Sequence, residues 1–65
     1  MTFHHQLQQR IHDVNQRLKL MRSYLRMRDE LNDWHGVMDA AADIRELETE
    51  LRTLQWVITN IGSNQ

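Results

Sequence analysis

The sequence predicts an all-α protein, an antiparallel two-helix hairpin that dimerises into a four-helix bundle. Three observations carry this expectation. Proline is absent and glycine occurs only at Gly36 and Gly62, so few positions can interrupt a helix. Good helix formers (Leu, Arg, Glu, Gln, Met and Ala) dominate the composition. Apolar residues recur at every third or fourth position along two runs, the 3.5-residue period of helices packed along a narrow seam.

The first run is Leu7, Ile11, Val14, Leu18, Met21 and Leu25, and it predicts a helix over 4–31. The second is Val37, Ala40, Ile44, Leu47, Leu51, Leu54, Ile58 and Ile61, predicting a helix over 34–61. Between them, Asn32 and Asp33 form the turn; both residue types are favoured at helix ends and N-caps. Asp33, followed by Asp39 and Asp43, also brings negative charge toward the positive end of the second helix dipole. Gly62 stands just past Ile61, where a glycine commonly ends a helix. Residues 62–65 are therefore expected to fray, as are Met1 and Thr2.

The register follows from the pattern. A chain folding back near residues 32–33 brings together residues whose numbers add to 65. The layers are Leu25 with Ala40, Met21 with Ile44, Leu18 with Leu47, Val14 with Leu51, Ile11 with Leu54 and Leu7 with Ile58. Each is apolar on both sides. A single long helix would have no reason to mirror its heptad phase about its centre. Beside the seam, Arg17 is expected opposite Glu50, and Tyr24 opposite Asp43.

Sixty-five residues allow one domain, and a chain this short is marginally stable unless it is stapled, metal-bound or oligomeric. There are no cysteines for disulfides or thiolate metal sites. No apolar run approaches the ~20 residues of a membrane span, and no signal-peptide pattern opens the sequence, so a cytoplasmic protein without a membrane partner is expected. Net charge is −1, yet residues 1–32 carry six Lys/Arg against three acids, and residues 33–65 two Arg against six acids. The two halves should attract each other.

Further burial is available from a second apolar stripe on the first helix: Leu20, Tyr24, Met27 and Leu31. Trp34 and Met38 are expected to extend it across the turn. These six residues form the expected oligomer interface, because a lone hairpin would leave them wet.

Reactive constellations are missing by comparison. His5 and His12 are seven apart, not the three or four that metal ligands on a helix need, and His4, His5, His12 and His35 read as exposed surface or turn residues. Ser23 has no base at helical spacing, and Ser63 lies in the expected tail. Asp39, Asp43, Glu46 and Glu50 form an acidic row on the second helix, which without a cleft is a solvated face. No catalytic residue, metal site or cofactor is expected.

A basic stripe runs along the first helix through His12, Asn15, Lys19, Arg22 and Arg26. In the hairpin, Arg45 and Arg52 fall on the same side, with Glu48 between them. Lys19, Arg22, Arg26, Arg45 and Arg52 are thus a candidate face for nucleic acid or an acidic partner. Net negative charge, the intervening Glu48 and the lack of an aromatic within the stripe favour a solvated face. Trp56, on the outer side of the second helix, either stacks under Arg52, covers the termini, or serves as a protein-binding anchor.

The stretch from Asp33 to Glu48, "DWHGVMDAAADIRELE", is similar to a segment of small helical proteins encoded by the early region of tailed, lambda-like bacteriophages, between the exonuclease and excisionase genes. The resemblance covers about a quarter of the chain and carries no catalytic motif. It implies a phage-encoded protein of the host cytoplasm that influences host physiology or the lysis–lysogeny choice. The resulting expectation is a small, non-enzymatic regulatory or accessory protein that self-associates and binds a host or phage protein. The alternative is a hairpin dimer that binds RNA or DNA through the basic face.

Overall fold

A computed structural model describes residues 2–63. They form two helices, α1 (Phe3–Glu30) and α2 (Trp34–Ser63), in a rod measuring 50 × 18 × 11 Å between Cα extremes. The all-helical hairpin expected from the heptads is present, and no strand occurs among the described residues.

Local chemistry sets the helix ends. Thr2 caps α1, its hydroxyl accepting the His5 N–H at 3.1 Å. At the other end the Asn32 N–H donates to the Asp29 carbonyl at 3.0 Å, and the Asp33 N–H to the Arg28 carbonyl at 2.9 Å. This is a Schellman closure with Asn32 in the left-handed region at φ 58°, a conformation asparagine tolerates better than other residues with a Cβ. Asp33 then starts α2 at once, its Oδ1 accepting the Gly36 N–H at 3.1 Å.

Gly62 does not end α2, which runs on through it to Ser63. Glycine is only a poor helix former, about 1 kcal/mol worse than alanine, and it stops a helix where it turns left-handed. No described glycine has positive φ. Of the ends expected to fray, Thr2 is the α1 cap, Gly62 and Ser63 are helical, and Met1, Asn64 and Gln65 lie outside the described residues.

The seam is where the heptads put it. All fourteen seam residues are buried or half-buried, with Val14 and Leu18 at 2 % exposure and Ala40 at 1 %. Ala40 is fully covered because a small residue lets the helices approach closely. On α2, threonine and asparagine side chains turn back onto the helix. Thr49 and Thr53 hydroxyls donate to the Arg45 and Thr49 carbonyls at 3.0 and 3.1 Å, and the Asn60 amide to the Trp56 carbonyl at 2.7 Å.

Candidate functional site

Two ion pairs fix which flank of each helix faces which. Arg10 donates through Nε and Nη2 to Glu50 Oε1, at 2.8 and 2.5 Å. On the other side of the seam, Arg22 Nη2 lies 3.6 Å from Glu48. The first pair's numbers add to 60 and the second's to 70, bracketing the seam value of 65. The offset is what an antiparallel pair requires. Residues on one flank lie one or four positions before the seam residues they border, and on the other flank one or four positions after.

This geometry corrects two expected neighbours. Glu50 pairs with Arg10, one helical repeat from the Arg17 expected there. Tyr24 takes Arg28 as its partner rather than Asp43, with the guanidinium 4.9 Å from the ring centroid. Both expectations used the wrong offset, adding to 67, whereas this flank adds to 60. Arg17 instead lines a groove of about 330 Å³ with Arg10, Asp13, Asp43, Glu46 and Glu50.

The same phase divides the candidate residues between the two broad faces. On the flank marked by Arg10 and Glu50 lie Leu20, Tyr24, Met27 and Leu31 of α1, beside the acidic row Asp39, Asp43, Glu46 and Glu50 of α2. On the flank marked by Arg22 and Glu48 lie Lys19 and Arg26 of α1, with Arg45 and Arg52 of α2. Trp34 and Met38 fall on this second flank. They therefore do not extend the Leu20–Leu31 stripe across the turn; helical phase puts them on the opposite face, with the loop end shared.

All six of these apolar residues are exposed, from Tyr24 at 38 % to Leu20 at 70 %. Trp56 is 66 % exposed on the back of α2, and it makes no cation–π contact among the described residues. The four histidines are exposed, and no group of three or more His, Cys, Asp or Glu side chains that could hold a metal occurs among the described residues. No helix among them is long and apolar enough to cross a membrane.

At the tip, a cluster that the sequence did not single out ties the turn together. Arg28 occupies the next seam position after Leu25, and its Nη1 donates to Asp33 Oδ2 at 3.2 Å. A Cβ on Gly36 would lie 2.5 Å from that same oxygen and 2.9 Å from Arg28 Cδ. Gly36 is the gap that lets the Arg28–Asp33 pair close over the first turn of α2. The available signal was the spacing: an aspartate cap three residues before a glycine, with an arginine where the apolar seam should continue.

No protein-family model, curated protein or solved structure matches the chain.

Proposed function

We propose that this chain is a small, non-enzymatic interaction protein that pairs with a second copy through the Leu20, Tyr24, Met27 and Leu31 face, building a four-helix bundle that binds a protein partner. One observation carries the reading: the hairpin exposes more surface than compact monomers of its size. Its accessible area is 5289 Å² for 7.9 kDa, whereas compact monomers of that mass expose about 4,400 Å². The excess, about 900 Å², matches the roughly 800 Å² that each partner buries in a standard interface. The large apolar side chains point to the same face: four of the eight exposed ones among the described residues, Leu20, Tyr24, Met27 and Leu31, lie on it. The further partner in this reading is a host or phage protein in the host cytoplasm, with the exposed Trp56 as its anchor.

Light scattering tests the self-association. The chain should weigh about twice 7.9 kDa, and Leu20→Glu or Met27→Glu should return it toward a monomer. A monomer of the unaltered chain at high micromolar concentration would refute the bundle. For the heterologous partner, the test is a pull-down in which Trp56→Ala abolishes capture of a defined protein that the unaltered chain retains. Equal capture by both would remove Trp56 from the reading.

A further inference from the structure

We propose that the Arg22–Glu48 flank binds single-stranded nucleic acid, its cations tracking the phosphates and Trp34 stacking a base. The net charge of −1 conceals two faces of opposite sign. Helical phase places Lys19, Arg22, Arg26, Arg45 and Arg52 on this flank against Asp29 and Glu48, leaving +3. The opposite flank carries Arg10 and Arg17 against Asp13, Asp39, Asp43, Glu46 and Glu50, leaving −3. Glu48, the acid that interrupts the basic row, is held by Arg22 at 3.6 Å. Lys19, Arg26, Arg45 and Arg52 have no ion-pair partner among the described residues.

Geometry makes these charges a track. Lys19 to Arg26, and Arg45 to Arg52, each advance about 10 Å along their helices, whose axes run side by side about 8–10 Å apart. In the antiparallel register, Arg52 lies level with Asp13 and Arg45 with Leu20. The cations therefore span about 20 Å of the rod in two rows, with the Arg22–Glu48 pair between them. Four of the five are arginines, whose planar forks suit phosphate oxygens. The track ends at an exposed aromatic: Trp34, 68 % accessible, lies on the same flank a little more than one turn past Arg26. A cationic surface ending in an open aromatic face suits a flexible strand with unstacked bases, whereas a duplex offers no base face to an indole.

The acidic face does not cancel this field. The rod is 11 Å thick between Cα extremes, and side chains on both faces add to that. The Debye length near physiological salt is about 8 Å, so the far face is screened. Below about 0.01 M salt the Debye length reaches roughly 30 Å, and the acidic face then opposes binding.

Fluorescence anisotropy of labelled twelve-nucleotide oligouridine and oligothymidine, titrated with the full chain, tests the proposal. Binding should weaken between 50 and 200 mM salt, with log affinity falling against log salt at a slope near −3 for four to five phosphate contacts. Arg26→Gln and Arg45→Gln should each flatten the slope by about 0.7. Trp34→Ala should weaken binding about tenfold at unchanged slope, and Arg10→Gln on the opposite flank should change neither. A matched duplex bound as tightly as the single strands, with Trp34→Ala silent, would overturn the strand-stacking assignment. No anisotropy change at 50 mM salt and 100 μM chain would overturn the site altogether. Because the self-association stripe lies on the other face, Leu20→Glu should leave the per-chain salt slope unchanged.

Discussion

Asp33 does three things at once. Its N–H closes the end of α1 on the Arg28 carbonyl, its Oδ1 caps α2, and its Oδ2 pairs with Arg28. Gly36 exists to leave room for this, and that makes its energetics conditional. Alanine at a helical position is worth up to about 1 kcal/mol over glycine. Here its Cβ would meet Asp33 Oδ2 at 2.5 Å and force the cap or the ion pair open. An N-cap is worth about 1 kcal/mol and a half-exposed pair of this kind at most about as much. Gly36→Ala should therefore destabilise the unaltered chain by up to about 1 kcal/mol. In an Asp33→Ala background the same substitution should stabilise, because the oxygen in its way is gone. Denaturant unfolding of the two single variants and the double variant measures this; a stabilising Gly36→Ala in the unaltered chain would show that the cap moves aside freely. Of this cluster, only the capping role of Asp33 was legible in the sequence. The role of Gly36 was not, because it depends on Arg28 reaching across the turn, and an arginine at a seam position reads as an end to the apolar run.

Between the helices, Ala40 sets the distance. It is 1 % exposed, in the layer that the register assigns to Leu25, and its small side chain allows the close approach that buries Val14 and Leu18 further along. Ala40→Leu should cost about 1–3 kcal/mol by overpacking. Leu18→Ala, which empties a fully covered site, should cost about 2–5 kcal/mol. Both follow from thermal or denaturant unfolding, and an Ala40→Leu variant as stable as the unaltered chain would show that the helices splay without cost at that layer. The seam itself was legible in the sequence, since a heptad phase mirrored about residue 32 has one antiparallel solution. Its flanks were harder to read. Arg17 and Glu50 look adjacent when numbers near 65 are matched, but flank residues pair five lower or five higher, as Arg10–Glu50 and Arg22–Glu48 show. The same oversight joined Trp34 and Met38 to a stripe on the opposite face. Alternation of apolar residues reveals which positions share a helix side; only a tertiary contact on each flank shows which sides of two helices meet.

As a whole molecule, the hairpin is a thin slab with chemically different faces, and its shape bears on its stability. Its radius of gyration is 15.0 Å, against about 11 Å for a compact chain of this length. One seam leaves ten of its fourteen residues only half covered, and just four of the described residues are buried outright. Extending the seam cannot remedy this, because length adds surface as fast as it adds core. Covering a broad face can, and the face with Leu20, Tyr24, Met27 and Leu31 is the apolar candidate on α1. If a second copy covers it, folding and association become one equilibrium, and stability depends on concentration. Each tenfold rise in concentration then adds about 1.4 kcal/mol to the folded dimer. With an unfolding entropy near 2.1 cal/mol/K per residue over two chains, Tm should rise by about 5 °C per decade. Leu20→Glu should both lower Tm and abolish its concentration dependence, because a charge within the stripe penalises the dimer and leaves the hairpin's own seam untouched. Scanning unfolding from micromolar to near-millimolar chain reads both effects. A Tm that stays constant across that range would mean that the hairpin stands on its single seam, and that the exposed stripe serves something other than a second copy.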